Sequence, residues 1–437
     1  MEQTERAGRI RWTILAMLFA VTVINYAVRA ALSLAAPALS SDLGIDKLQL
    51  GVVFSAFGWS YCIAQMPGGW LLDRFGSVRV YFVAIVAWSA LTIAHSTVVW
   101  MSGSAAVTVL FALRFLVGIA EAPSFPGNAR IVAQWFPARE RGTASAIFNA
   151  AQYFATVLFA PLLGWIVSGF GWQWSFVFIG VVGLIAAVIW LRVVHEPRHH
   201  PRVTKAELDL IAAGGGMIDL AAGTPASESQ GEMRRKLGVL LANRTLWGLY
   251  LGQFFINTLT FFFITWFPVY LVEERGLTVV KAGLFATVPA ICGFIGGVLG
   301  GMFSDWLLRR GASLTLARKV PVIGGMLLAL TILGCNYAET NTMILVFMSL
   351  AFFGKGVGAL GWAVVSDVAP RDSAGLSGGI FNMFGNVSSI FSPIVIGYIL
   401  KQTGSFDLVL GLVAASALAA ALCFLLLVGR IERIGAD

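Results

Sequence analysis

Long apolar runs separated by short polar connections dominate the chain. A helix that spans a membrane needs about 20 mainly apolar residues, and twelve runs meet that length. We therefore predict twelve transmembrane helices, and an even number places both termini on one side. The runs cover residues 12–37, 50–72, 80–100, 105–130, 142–167, 173–193, 244–271, 282–307, 319–337, 341–365, 374–400 and 406–429.

Composition supports a membrane protein. Of the 437 residues, 58% are hydrophobic and 12% are charged, whereas soluble domains carry about 25% charged residues. So few charges could not cover a water-soluble globule, and a disordered chain is excluded for the same reason. The four cysteines lie in apolar runs and are expected to be small buried hydrophobes. We expect no cofactor and no metal.

Basic residues indicate the orientation. With the N-terminus in the cytoplasm, 22 of the 30 Lys and Arg residues fall in cytoplasmic connections and four in outer ones. This bias follows the positive-inside rule. It predicts a multi-pass protein of the inner (plasma) membrane with both termini cytoplasmic. The positive charges therefore reflect topology, and we expect no nucleic-acid partner.

A polar stretch divides the chain. We predict an N-terminal bundle of six helices over residues 1–193, a cytoplasmic linker over 194–243 and a C-terminal six-helix bundle over 244–437. Thr204 and Glu207 have the spacing of a capping box, so a short surface helix is expected near 204–212.

The two halves resemble each other at a constant offset. Gly68-Gly69-x-x-x-Asp73 recurs as Gly300-Gly301-x-x-x-Asp305, and Ile147-Phe148-Asn149 recurs as Ile380-Phe381-Asn382. Paired halves of this kind are typical of transporters that bind substrate at the interface between repeats, near the midplane.

Two connections carry a family resemblance. The segment GGWLLDRFGSVR and its second copy GGMFSDWLLRR resemble the signature loop of the major facilitator superfamily. The resemblance implies an all-α integral membrane protein with two pseudo-symmetric six-helix bundles. It also implies that glycines and charged helix ends latch one conformation. The residues in these positions are Gly69, Asp73, Arg74, Arg79, Asp305 and Arg309.

Further segments narrow the resemblance. The stretches NYAVRAALSLAAPALSSDLG, RFLVGIAEAPSFPGNARIVAQWFPARERG and GGIFNMFGN are similar to the anion:cation symporter family, which includes bacterial D-galactonate and hexuronate transporters. The resemblance implies symport of an organic anion with protons. It also implies a set of substrate-binding polar and aromatic residues. These are Tyr26, Tyr61, Gln152, Gln253, Trp362 and Asn382.

Four charged residues lie deep within the apolar runs: Arg29, Arg114, Glu121 and Lys355. Each would cost about 2.5–3.5 kcal/mol if it faced lipid, so we expect them to face a cavity or one another. Arg114 and Glu121 are seven residues apart and share a helix face. Arg29 and Arg114 could clamp one carboxylate, because an Arg fork donates two parallel hydrogen bonds; the alternative is an Arg–Glu pair that only braces helices.

Glu121 is the one carboxylate deep in any run, so it is the candidate proton carrier; the alternative is a permanent counter-ion to an arginine. Val28 stands where the sugar-acid relatives have an acid before Arg29, which favours one proton over two. Lys355 is a candidate additional cation of the cavity, and three cations against one anion suit a dicarboxylate. The alternative is that Lys355 pairs elsewhere or snorkels.

We therefore predict a proton-coupled symporter, not an enzyme, that imports a sugar acid such as galactonate or a hexuronate by alternating access. Its partners are a small organic anion, protons and the bilayer, and a monomer suffices. Alternatives are an aldarate, other dicarboxylate or aromatic-acid symporter, or an anion exchanger or uniporter without proton coupling.

Overall fold

The computed structural model describes residues 8–137, 139–219, 230–370 and 374–434. Every regular element in these ranges is helical. The predicted all-helical membrane fold is confirmed.

The first half of the chain contains the helices α1 (Ile10–Leu43), α2 (Lys47–Phe75), α3 (Ser77–Ala94), α4 (Gly103–Glu121), α5 (Ser124–Trp135), α6 (Arg141–Phe170) and α7 (Trp172–Val193). The linker contains α8 (Lys205–Ala213) and α9 (Gln230–Ala242). The second half contains α10 (Arg244–Phe261), α11 (Phe267–Glu273), α12 (Val279–Arg309), α13 (Leu314–Ala329), α14 (Asn341–Val357), α15 (Gly361–Val368), α16 (Ala374–Thr403) and α17 (Asp407–Leu422).

Several apolar runs are broken helices. A π-helical turn over Phe262–Trp266 joins α10 to α11, where Pro268 cannot donate a backbone hydrogen bond. The glycine-rich end of α14 separates it from α15, and Pro123 separates α4 from α5. 3₁₀ turns extend α3 and α13, and a π-helical turn extends α17.

Eleven helical segments of the described chain are long and apolar enough to cross a membrane. The twelfth predicted run is α2, which is long enough at 29 residues but carries more polar side chains. Its Ser60 and Tyr61 are buried within the protein and do not face the surroundings.

We use two names for the ends of the bundle. The linker side carries the α2–α3 and α12–α13 turns and the linker helices; the far side carries the α1–α2, α6–α7 and α16–α17 turns. Gly44 ends α1 on the far side with φ 67°, a left-handed conformation that glycine adopts without a steric penalty. Trp172 of α7 donates to Asp42 at the end of α1 over 2.9 Å, which links neighbouring turns on that side.

The two halves meet closely on the far side. A Cβ on Gly51 of α2 would lie 2.4 Å from the backbone oxygen of Pro393 in α16, and one on Gly283 of α12 would lie 2.4 Å from the backbone oxygen of Ala160 in α6. Small residues allow this backbone-to-backbone packing. Ion pairs from Lys47 to Glu273 and from Asp46 to Lys401 also cross between the halves.

On the linker side, the ion pairs found among the described residues stay within one half or join it to the linker. Glu207 of α8 is fully buried and accepts hydrogen bonds from the backbone amides of Ile10 and Arg11. The linker thus supplies the cap for the first helix, because α1 has no side-chain cap of its own.

Candidate functional site

A buried ion pair joins α1 to α4 in the first half. Arg29 Nη2 donates to Glu121 Oε2 over 3.1 Å and to Asn25 Oδ1, one helical turn earlier, over 3.2 Å. The exposed fractions are 8% for Arg29 and 0% for Glu121. Glu121 Oε1 has no hydrogen-bond partner among the described residues. The pair therefore keeps a free acceptor at the centre of the bundle.

Aromatic rings surround the guanidinium of Arg29. Its Cζ lies 4.3 Å from the ring centroid of Phe57, 4.8 Å from that of Tyr26 and 5.6 Å from that of Tyr61. Phe57 and Tyr61 stack at 5.2 Å. Ring faces attract cations by about 0.5–2 kcal/mol each, so these rings orient Arg29 while leaving most of its donors available.

Arg114 is buried in the same region but makes a different set of contacts. Its Cζ lies 5.6 Å from the ring of Phe57, so Phe57 contacts both guanidiniums. No hydrogen bond from Arg114 to a described residue is present, and its Nε has no partner in that part of the chain. Arg114 thus lies beside the ion pair with unused donors.

A cavity lies between the two halves next to this pair, with about 410 Å³ of empty space that includes open solvent. Its walls come from α1, α6, the π-helical turn, α11 and α12. The lining residues are Tyr26, Ala30, Leu34, Gln152, Thr156, Ala160, Phe263, Ile264, Pro268 and Ala286.

Two of the other expected site residues form a second polar group. Gln253 donates to Asn257 over 3.0 Å on α10, and Asn382 of α16 donates to Gln65 of α2 over 3.4 Å. Trp362 does not join either group. Trp362 is 53% exposed, and its ring packs edge-on against Phe381.

Lys355 lies in the second half, on α14, and is 5% exposed. Its Nζ is 3.5 Å from the hydroxyl oxygen of Tyr153 on α6. It therefore reaches across the interface between the halves. In the described chain no carboxylate pairs with it.

The residues expected to form a latch have other partners in this conformation. Asp73 pairs with Arg130, and Arg318 pairs with Asp305 at 3.8 Å and with Asp367 at 2.8 Å. Gly69 borders open space, whereas a Cβ on Gly68 would lie 3.2 Å from the backbone of Pro123. In this conformation, Gly68 therefore makes the close approach to α5.

The basic residues of these loops make fewer contacts. Arg74 packs over the ring of Trp70 at 5.1 Å. Neither Arg79 nor Arg309 forms an ion pair with another described residue.

Sequence reasoning missed Asn25, Phe57, Gln65, Tyr153 and Asn257. Two of them had a visible signal: Asn25 precedes Arg29 by four residues and Asn257 follows Gln253 by four, a spacing that brings polar side chains together on a helix. The linker helix α9 was also missed.

A family model described as "Major Facilitator Superfamily" matches residues 18–334. The chain belongs to this superfamily. Membership confirms the predicted fold and makes the protein a membrane transporter, not an enzyme.

Individual proteins similar to this chain are also transporters. The chain is 56% identical to the "Probable galactarate/D-glucarate transporter GudP" of Bacillus subtilis, over 97% of this chain and 93% of the relative. It is 41% identical to the "D-galactonate transporter" of Escherichia coli O6:H1, over 98% of each chain. The solved structure of a bacterial homologue of the human lysosomal transporter Spinster, inward-facing and occupied, is similar with a TM-score of 0.71. It is 18% identical and covers 96% of this chain and 97% of that one.

Proposed function

We propose that this major facilitator protein imports a sugar acid together with protons, and that its substrate is a six-carbon aldarate such as galactarate or D-glucarate. The observation that carries the proposal is the buried Arg29–Glu121 pair beside the cavity. The names of the two similar transporters support the substrate class.

Arg29 and Arg114 bind the substrate carboxylate in this proposal. Both guanidiniums lie near Phe57, and both have donors that described residues leave unused. Charge-assisted bonds between guanidinium and carboxylate are strong and bidentate. Tyr26 and Gln152, which line the cavity, bind hydroxyls of the polyol chain. Tyr61 lies behind Arg29, and Gln253 and Asn382 complete the polar wall contributed by the second half.

Glu121 couples this step to protons. When Arg29 turns to the substrate, the Glu121 carboxylate loses its cation in a fully buried site. An uncompensated buried charge costs several kcal/mol, so Glu121 takes up a proton. Substrate and proton therefore occupy the site together.

The two six-helix halves, joined by the 194–243 linker, move against each other in this proposal. With the N-terminus in the cytoplasm, the far side is the outer face, where the halves pack closely. The conformation is then open toward the cytoplasm. Gly69, Asp73 and Asp305, at the linker side, become contacts between the halves when that side closes.

A second candidate is anion exchange without net proton movement. The observation that favours it is that Glu121 already has Arg29 as its counter-ion, while Val28 occupies the position of a helix-1 acid. A permanently ionised Glu121 would support substrate exchange alone.

Uptake in proteoliposomes tests both candidates. Under an inward proton gradient, labelled galactarate or D-glucarate should accumulate, and a protonophore should abolish the accumulation. Glu121→Gln should lose accumulation but keep exchange of labelled for unlabelled substrate. Glu274→Gln removes an exposed carboxylate at the far side and serves as the matched control.

The outcomes separate the candidates. Exchange in the wild type without any gradient-driven accumulation would establish the exchanger. Accumulation that survives Glu121→Gln would refute the coupling role of Glu121. Uptake of neither aldarates nor aldonates would refute the substrate class.

A further inference from the structure

Lys355 is a buried cation that pairs with no carboxylate in the described part of the chain. Its ammonium has three donors, and the Tyr153 hydroxyl at 3.5 Å is its one hydrogen-bond partner among the described residues. The rings of Tyr153 and Phe352 lie 5.5 and 5.2 Å from its Nζ. A charged group in an apolar interior is costly unless it is paired. The site therefore suits an anion that none of the described residues supplies.

Lys355 and Arg29 lie at the same level of the bundle, in opposite halves. The same number of residues separates Arg29 from Leu43 at the far-side end of α1 and Lys355 from Asn341 at the far-side start of α14. This spacing corresponds to about 21 Å of helix in both cases. The two cations thus flank the interface between the halves at one depth.

Aromatic residues in opposite walls of the cavity pack toward the two cations. Tyr26 lines the cavity and contacts Arg29 with its ring. On the opposite side, Phe263 lines the cavity and stacks at 4.2 Å on Phe352, which contacts the Lys355 ammonium. A molecule that extends from Tyr26 across the cavity therefore meets Phe263, whose ring packs on the Phe352 ring beside Lys355.

The charges define which molecule fits. Arg29, Arg114 and Lys355 exceed the single carboxylate of Glu121 by two positive charges. While Glu121 is ionised, a dianion neutralises this excess, whereas a monoanion leaves one buried charge uncompensated, which is unfavourable at low dielectric. Protonation of Glu121 adds one positive charge to the excess, and a dianion still leaves one fewer uncompensated charge than a monoanion.

We propose that Lys355, with the hydroxyl of Tyr153, binds the second carboxylate of a dicarboxylic sugar acid whose first carboxylate binds at Arg29 and Arg114. Lys355 is then the residue that selects aldarates over aldonates, which differ by this one carboxylate. This inference rests on the proposed function.

Binding measurements on the purified full chain test the inference. Calorimetric dissociation constants for galactarate and galactonate are compared in the wild type, Lys355→Met, Lys355→Arg and Tyr153→Phe. The wild type should bind galactarate at least 10-fold more tightly than galactonate. Lys355→Met should weaken galactarate binding roughly 10- to 100-fold, about 1.4–2.8 kcal/mol, and change galactonate binding less than about 3-fold. Lys355→Arg should keep most of the preference.

Lys281→Met is the matched control. Lys281 is exposed in the first turn of α12, so its loss removes one positive charge from the same half without touching the cavity. It should leave both dissociation constants unchanged.

Each other outcome has a defined meaning. Failure of the wild type to bind or transport any sugar acid refutes the proposed function itself. Wild-type transport of galactarate without a preference over galactonate overturns the selectivity inference alone. Equal losses for both ligands in Lys355→Met would show that Lys355 only braces the helices. If Lys355→Met does not fold, Tyr153→Phe decides, because it must weaken galactarate binding more than galactonate binding.

Discussion

Removing Arg29 should destabilise the protein more than removing both members of its ion pair. In Arg29→Gln, the Glu121 carboxylate stays at 0% exposure without the cation that contacts it at 3.1 Å. Breaking a buried pair from one side costs about 3–5 kcal/mol. We expect a loss of this size in Arg29→Gln.

The second single variant, Glu121→Gln, should lose less stability than Arg29→Gln. In Glu121→Gln, Arg29 keeps the hydrogen bond to Asn25 and its contacts with the rings of Tyr26, Phe57 and Tyr61. These cation–π contacts contribute about 0.5–2 kcal/mol each and compensate part of the lost ion pair. We therefore expect Glu121→Gln to lower the free energy of unfolding by about 1–3 kcal/mol. The double variant places two neutral amides in contact and should be within about 1 kcal/mol of the wild type.

Equilibrium unfolding in mixed micelles measures these values, with tryptophan fluorescence as the signal. A double-mutant cycle then gives the coupling energy of the pair, which should be about 3 kcal/mol or more. Arg198→Gln is the matched control, since Arg198 pairs with Asp219 at the exposed surface of the linker and surface pairs contribute little.

Additive losses would refute the reasoning. If Arg29→Gln and Glu121→Gln destabilise independently, the two side chains do not act as a pair in the membrane. Arg29 would then have another counter-ion.

Three further perturbations follow from single contacts. Glu207→Gln removes the charge that caps α1 and should lower stability by about 1–2 kcal/mol, measured in the same unfolding assay. Gly283→Ala places a Cβ 2.4 Å from a backbone oxygen of α6, which should cost about 1–3 kcal/mol of stability. Cysteine labelling should then show that the far side opens. Gly411→Ala is the control, because a Cβ there meets open space and should leave the labelling unchanged. The pKa of Asp46 is lowered, because burial, which raises it, is outweighed by the Gln49 amide and by Lys401. Its contact with Lys401 is complete above the ordinary carboxyl pKa and is lost as the pH falls through the lowered value, so acid should increase far-side labelling. A labelling profile that stays flat through the whole acid range would contradict it.

Hydropathy was sufficient to predict the membrane-spanning runs, but not the breaks within them. Each membrane span needs about 20 apolar residues whatever its neighbours are, so the spans are a local property of the sequence. The repeat at constant offset and the loop around Asp73 indicated the superfamily. Both are local features of the sequence, so they can be recognised without the three-dimensional structure. The chemically important residues Arg29, Glu121 and Lys355 were visible as charges in apolar runs.

Only the tertiary structure showed which buried charged side chains contact each other. Arg29 pairs with Glu121, while Arg114, which shares a helix with Glu121, packs against Phe57. A helix that is apolar on most sides has no amphipathic pattern, so its sequence does not show which face packs against the neighbouring helix. The sequence therefore did not indicate which face of α1 meets α4.

The same limit explains the contacts that the sequence pattern did not indicate. Gly68, and not Gly69, packs against Pro123, because one residue of helix turns the chain by about 100°. Tyr153 meets Lys355 from a helix in the other half of the chain, and nothing in the spacing of either helix records that contact. The amino-acid sequence by itself determined the helices, the charges and the family. The packing of the two halves decided which of those charges face each other across the cavity, since that depends on contacts between helices far apart in the chain.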